Sequence, residues 1–143
     1  LSLACVPIMR TQGGGRIINI SSRVGRPPDP YFAAYAAAKA ALINFTKTLA
    51  NAFSKDGILA NCVVPGLVGT EAALEAAEKS AAATGKTVDE VFAERLRRRP
   101  IPAGRLGEPE DVAGLVVFLA SARTSWITGS TFTIDGGTVP TAP

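Results

Sequence analysis

The chain has 143 residues, 47% of them hydrophobic and 19% charged, with 15 Lys+Arg against 12 Asp+Glu for a formal net charge of +3. That length suffices for one domain with its own core, the composition excludes a disordered chain, and no apolar run reaches the ~20 residues a membrane-spanning helix needs. A bias of +3 gives nucleic acid no footing without a concentrated basic face. Histidine is absent, which removes imidazole as acid, base or metal ligand and leaves proton chemistry to Tyr, Lys, Asp, Glu or Cys.

In chain order, Leu1 to Thr11 is spaced like the last turns of a helix. Pro7 predicts a kink or an irregular stretch, and Gly13, Gly14 and Gly15 close the helix. Arg16 to Ser21, with Ile17, Ile18 and Ile20, reads as a buried strand of the parallel type, and Ser22 falls just past its carboxyl end. Tyr31 to about Ser54 is Ala-rich and free of Gly and Pro, with Leu42, Phe45, Leu49 and Phe53 at three- and four-residue steps, and predicts a long helix. Asp56-Gly57 turns the chain into a second strand, Ile58 to Val64, ended by Pro65-Gly66.

Glu71 to Ala83 and Val88 to Arg98 read as helices, with Thr87 or Asp89 able to cap the second. Glu108-Pro109-Glu110-Asp111 places proline and acids at a further helix start, with Val112, Leu115, Val116 and Leu119 as its inward stripe. Thr131 to Ile134 is a third strand, closed by Asp135-Gly136-Gly137. The order predicts an α/β fold, a partial doubly wound parallel sheet of three strands with flanking helices. The tail from Thr138 to Pro143 reads as loose or packed across a partner. Cys5 and Cys62 stand alone, without a CxxC spacing or a disulfide framework, which fits a reducing, cytoplasmic compartment.

Chemistry concentrates on Tyr35 and Lys39, four apart and so on one face near the start of the long helix. Ser22 stands at the mouth of the strand that feeds this helix. Ligands of open parallel sheets bind beyond the carboxyl ends of strands, where both arrive. A phenol titrates near ~10 unperturbed, so acid/base work near neutrality needs a cationic neighbour such as Lys39. A Ser22 hydroxyl could donate to a carbonyl oxygen that Tyr35 protonates, an arrangement suited to reducing a ketone or to the reverse. Read singly, a Tyr-x-x-x-Lys pair is as well a surface pair, and Ser21-Ser22 a pair of turn residues.

The segments GGGRIINISS (13–22), YAAAK (35–39), NCVVPGLVGT (61–70), GRLGEPEDVAGLVVFLAS (104–121) and ITGSTFTIDGG (127–137), in that order and spacing, resemble the carboxyl-terminal half of a classical short-chain dehydrogenase/reductase, among them 3-oxoacyl-acyl-carrier-protein reductases. The resemblance runs along essentially the whole chain. It implies an oxidoreductase using NAD or NADP on a ketone or secondary alcohol, with Tyr35 as acid/base and Ser22 orienting and polarising the carbonyl. Lys39 would assist Tyr35 and hold the nicotinamide ribose hydroxyls. Pro65 and Gly66 would turn against the nicotinamide, Val68 bonding the carboxamide through its backbone and Thr70 reaching the carboxamide or a phosphate. Residues 71–99 match the variable substrate lid, and assembly as a dimer or tetramer follows for the complete enzyme.

The family's GxxxGxG turn, which seats a pyrophosphate on a helix amino terminus, is absent: Gly13-Gly14-Gly15 follows a helix and precedes a strand. Leu1 opens in mid-pattern without an initiator Met. The expectation is therefore residues 1–143 as the carboxyl-terminal part of one domain whose amino-terminal dinucleotide-binding half is missing, leaving the strand at Arg16 to Ser21 with an open edge. The alternative is an inactive truncated fragment or helix-mediated interaction module. Arg95, Arg97, Arg98 and Arg99 read as the solvated end of a lid helix offset by Glu90 and Glu94. Arg105 reads as structural, and Trp126, Ile127 and Phe132 as core or subunit interface.

Overall fold

A computed structural model describes residues 1–27 and 31–140. Three parallel strands, β1 (Gly15–Ile20), β2 (Ile58–Pro65) and β3 (Thr131–Ile134), stand side by side in that order, with Ile17 beside Ala60, Asn19 beside Cys62, and Pro65 beside Ile134. Helix α1 (Ser2–Thr11) leads into β1, and α2 (Ala33–Phe53) crosses over from β1 to β2. The second crossover carries α3 (Glu71–Thr84), α4 (Val88–Arg98) and α5 (Pro109–Ala120). The expected α/β architecture forms, and the open edge expected of the first strand is there, since β1 pairs on one side only among the described residues.

The core follows from the strand period of two. Ile17 on β1 and Ile58 and Ala60 on β2 turn to one face, where Val6 of α1 and Leu49 and Ala50 of α2 close over them, with Met9, Phe45 and Phe53 at the margin. Leu49 and Ile58 are fully buried, each stabilising the fold by about 1.5–3 kcal/mol. Helix α5 lies against β1 and β2 with Leu119 fully buried, while Val117 and Phe118 face outward.

Helices α3 and α4 form a hairpin with a separate small core of Ala77, Ala81 and Val91, flanked by Val88 and Phe92. Thr87 caps α4 in a reciprocal capping box with Glu90, its hydroxyl accepting from the Glu90 N–H while the Glu90 carboxylate accepts from the Thr87 N–H. Glu90 is thus committed to the cap, while Glu94 pairs with Arg98 at 2.9 Å and with Lys86 at 2.6 Å. Arg95 lies over the Phe92 ring and donates to the Ala76 carbonyl.

Three local expectations change. Helix α1 continues through Pro7; the carbonyl that loses its partner is that of Leu3, an exposed residue near the chain's open end, where water can replace the missing N–H. Helix α2 starts at Ala33 rather than Tyr31, with Phe32 as an N-cap lacking a side-chain bond. Trp126 is 98% exposed, so it is no part of this chain's core; Thr124 is buried and Ile127 half-buried beside it, and they take the inward positions. Of the tail expected to be loose or packed on a partner, residues 141–143 lie outside the described residues.

Asn61 joins β2 to the segment entering β3. Only 1% exposed, it donates through Nδ2 to the Ile127 carbonyl (2.8 Å) and accepts through Oδ1 from the Ser130 N–H (3.1 Å). Removing it leaves two part-buried backbone groups, the Ile127 carbonyl and the Ser130 N–H, without their partner, at about 1 kcal/mol each. Asn61→Ala is therefore expected to lower unfolding free energy by about 2 kcal/mol or more in a urea titration; an unchanged midpoint would show that the β3 entry does not rely on this side chain.

Candidate active site at the carboxyl ends of the strands

The site begins where β1 stops. Ser21 is buried: its hydroxyl donates to the Lys39 carbonyl at 2.7 Å, and its N–H to the Val63 carbonyl at 2.8 Å. Ser22 is extended, φ −159° and ψ 154°, and only its carbonyl is engaged, by the Gly25 N–H that closes the 3₁₀ turn Arg23–Gly25. Its hydroxyl has no protein partner among the described residues. Alternation of side chains at a strand end thus splits the pair, Ser21 holding the fold and Ser22 facing the opening.

Tyr35 lies in the first turn of α2, 49% exposed and edge-on to Phe32 at 6.4 Å between centroids. The Lys39 ammonium sits 5.5 Å from the Tyr35 ring centroid and donates to the Ile20 carbonyl at 2.9 Å. One of its three N–H groups is thereby spent on the last carbonyl of β1, a partner that spacing in the sequence could not reveal. The turn after Ser22 packs directly on this helix: a Cβ on Gly25 would come within 2.8 Å of the Lys39 carbonyl carbon, so only glycine permits the approach.

The opposite wall is the loop after β2. Gly66 donates to the Ile134 carbonyl, and a Cβ on it would fall 2.7 Å from the Asp135 backbone. The close approach that demands glycine here is therefore to the β3 end. Beyond it, the Leu67 carbonyl accepts from the Gly107 N–H (3.0 Å), and the Gly69 N–H donates to the Gly107 carbonyl (2.9 Å). This short parallel pairing turns the polar groups of Val68 the other way. The Val68 carbonyl takes the Thr70 N–H, and the Val68 N–H has no protein acceptor among the described residues. Thr70 caps α3, its hydroxyl oxygen accepting from the Ala73 N–H at 3.2 Å, which leaves the hydroxyl proton free to donate.

These walls enclose one open cleft of about 430 Å³ lined by Ser22, Tyr35, Pro65, Gly66, Val68 and Thr70, with Ile20, Ser21, Leu67, Pro109 and Val112. Six of the seven residues singled out in the sequence line it, and the seventh, Lys39, stands behind Tyr35 against β1. The cleft suits the nicotinamide end of a dinucleotide: an apolar floor, a free backbone N–H at Val68 matched to a carboxamide oxygen, a donor at Thr70, and a helix start nearby. Cys62 belongs to a different layer. It is fully buried on β2, and burial pushes its thiol up, so it supplies no nucleophile near neutral pH.

Gly107 is held in turn by a clasp that sequence reasoning left as an unspecified structural role for Arg105. Its guanidinium grips Asp111 with two parallel bonds, Nη1 to Oδ2 at 2.7 Å and Nη2 to Oδ1 at 2.9 Å, and Nη1 also donates to the Leu106 carbonyl. Asp111 Oδ2 accepts from the Glu108 N–H as well. The Arg105 guanidinium, with that amide, holds the Asp111 carboxyl at about 2, below its ordinary value. Because the folded value lies below the unfolded one, the stabilisation is complete above the unfolded value near ~3.9 and is lost as pH falls through about 2. A carboxyl-carbon NMR titration is expected to place the Asp111 midpoint about 2; a midpoint near ~4 would mean that the clasp is open in solution.

Comparison with known proteins agrees with this architecture. Residues 1–139 match the family model described as enoyl-(acyl carrier protein) reductase. The chain is 42% identical over 137 residues to 7alpha-hydroxysteroid dehydrogenase of Bacteroides fragilis, covering 96% of this chain and 48% of that one. It is 38% identical over 137 residues to a 3-oxoacyl-[acyl-carrier-protein] reductase of Vibrio harveyi, covering 96% and 51%. Among solved structures, L-sorbose reductase of Gluconobacter frateurii, complexed with NADPH and L-sorbose, superposes with a TM-score of 0.92 at 36% identity, over 99% of this chain and 54% of that one. The chain thus spans about half the length of the curated relatives it matches. With the ordered motifs, the parallel sheet and the cleft at its carboxyl ends, the chain belongs to the short-chain dehydrogenase/reductase family.

Proposed function

We propose that this chain carries the catalytic centre of an NAD- or NADP-dependent oxidoreductase that reduces a ketone or oxidises a secondary alcohol. The observation that supports this most is the convergence on one cleft of the Tyr35 phenol with two unengaged donors, the Ser22 hydroxyl and the Val68 N–H. The solved relative with NADPH and a sugar ketone in its name supports the same chemistry.

In the reductive direction the Ser22 hydroxyl donates a hydrogen bond to the substrate's carbonyl oxygen, holding it where negative charge develops. The Tyr35 hydroxyl gives its proton to that oxygen as the carbonyl carbon gains a hydride, so the product is the neutral alcohol; oxidation runs the same transfers backward. A bound nicotinamide would supply or accept the hydride. Val68 would take the carboxamide through its N–H, Thr70 a carboxamide or phosphate oxygen through its hydroxyl, and Lys39 the ribose hydroxyls through the N–H groups that Ile20 leaves unused. Pro65 and Gly66 shape the floor of that pocket. The α3–α4 hairpin, which carries its own small core, acts as the substrate lid. Assembly as a dimer or tetramer and a cytoplasmic location belong to the same reading; the exposed Val117 and Phe118 on α5 offer an apolar face for such assembly.

A second reading, a non-catalytic unit that pairs through its helices, rests on one feature: these 143 residues contain no GxxxGxG turn to seat a pyrophosphate. Fluorescence titration separates the two. In the full-length protein NADPH or NADH binding should saturate, whereas residues 1–143 alone are expected to show no saturation at micromolar cofactor; saturation there would remove the second reading. Tyr35→Phe in the full-length protein should lower turnover by about 10²–10⁴-fold, and Ser22→Ala by about 10²–10³-fold, with cofactor affinity within about twofold of wild type. Undiminished turnover in Tyr35→Phe would take Tyr35 out of the mechanism.

A further inference from the structure

The loop that walls the cleft opposite Tyr35 is joined to the segment before α5 by the two-bond pairing of Leu67 and Gly69 with Gly107. Beside this pairing lies a partly open pocket of about 230 Å³, bordered by Leu67, Val68, Ile101, Leu106 and Ile134. Gly107 itself sits in a connection between the α4 end and α5, where glycine adds no side chain to anchor it. Its position is set from both sides by one ion pair: Arg105, two residues before it, grips Asp111 in the first turn of α5 through both guanidinium nitrogens and also ties down the Leu106 carbonyl. Asp111 simultaneously holds the Glu108 N–H, one residue after Gly107. The bonds therefore fold residues 105–108 into a fixed curl whose exposed edge is the Gly107 peptide.

We infer that Arg105 and Asp111 are positioning residues for cofactor binding: their clasp fixes Gly107, Gly107 fixes Leu67 and Gly69, and that pairing is what presents the Val68 N–H to the cleft. The inference rests on the proposed nicotinamide site. A lone exposed ion pair is worth little to global stability, but a bidentate fork sets geometry as well as energy, and here the geometry is transmitted to a backbone donor flanked on both sides by the pairing with Gly107. Lysine cannot replace arginine in this role, because one ammonium does not supply two parallel bonds in a plane.

The test uses the full-length protein with Arg105→Met, Arg105→Lys and Asp111→Asn, and Arg10→Met as a control that breaks a similarly exposed pair with Asp56, away from the cleft. Amide hydrogen exchange without cofactor and fluorescence titration with NADPH and NADH are read in parallel. Expected are exchange at Gly69 and Gly107 faster by about tenfold or more in the Arg105 and Asp111 variants, and a dissociation constant raised about tenfold. The β2 core amides of Ala60 and Val63 should exchange as in wild type, Arg105→Lys should restore at most part of the loss, and the control should change neither readout. If Arg105→Met fails to fold, Arg105→Lys and Asp111→Asn carry the test. Faster loop exchange with unchanged cofactor affinity, or no change in either, overturns the positioning role while leaving the oxidoreductase reading intact. Wild-type protein that binds neither cofactor overturns both.

Discussion

The seating of α2 on the end of β1 is the constraint from which the site follows. Three contacts converge on Lys39: its carbonyl accepts the Ser21 hydroxyl, its ammonium reaches the Ile20 carbonyl, and the bare Cα of Gly25 lies against its backbone. One of these occupies the last carbonyl of β1, and another gives the buried Ser21 hydroxyl its acceptor. The third brings the turn after Ser22 within a distance that a methyl group would forbid. Since Tyr35 stands one turn before Lys39 on the same helix face, fixing Lys39 fixes how Tyr35 approaches Ser22. The buried Ser21 therefore acts as scaffold for the half-buried Ser22 that lines the cleft.

The second wall obeys a different rule. Where β2 and β3 end, Gly66 is pressed against Asp135, and Asp135 in turn accepts from the Gly137 and Val139 N–H groups, so the turn after β3 buttresses the turn after β2. Past Gly66 that support ends, and the chain borrows order from the α5 start through Gly107. The cleft thus has one wall built into the sheet and its crossover helix, and one wall held by hydrogen bonds to the segment before α5.

Much of this was legible in the sequence because it is periodic or local. The spacing of Phe45, Leu49 and Phe53 and the β-branched run at Ile17 to Ile20 set which faces meet, and the core forms at Leu49 and Ile17, while Leu42 stays outside the cluster and Ile20, at the strand end, is exposed. The Tyr35–Lys39 spacing puts both groups on one turn. What stayed hidden depends on contacts between segments far apart in the chain. Nothing local says that Ile20 is the acceptor for Lys39 or that Gly66 is glycine because of Asp135, whereas the Thr87-x-x-Glu90 spacing is itself the signature of a capping box. Of the two places expected for Trp126, the core is ruled out: the inward places beside it belong to Thr124 and Ile127, and its ring is left outside, where a subunit interface could cover it.

Arg105 and Asp111 illustrate how such a contact can be found. In sequence they are an arginine six residues before an acid at a helix start, readable as a capping box with a charged neighbour. The box explains the Glu108 N–H bond to Asp111, but a box needs no arginine. The remaining carboxylate oxygen, the second guanidinium nitrogen and the Leu106 carbonyl are all engaged only because the preceding loop bends back over the helix start. A loop that bends back gives up conformational entropy; within residues 105–108 only the half-buried Leu106 returns apolar burial, and the rest comes from what the loop touches next. Here it touches the backbone on either side of Val68, and the cost of ordering residues 105–108 is offset where that segment meets the wall of the cleft.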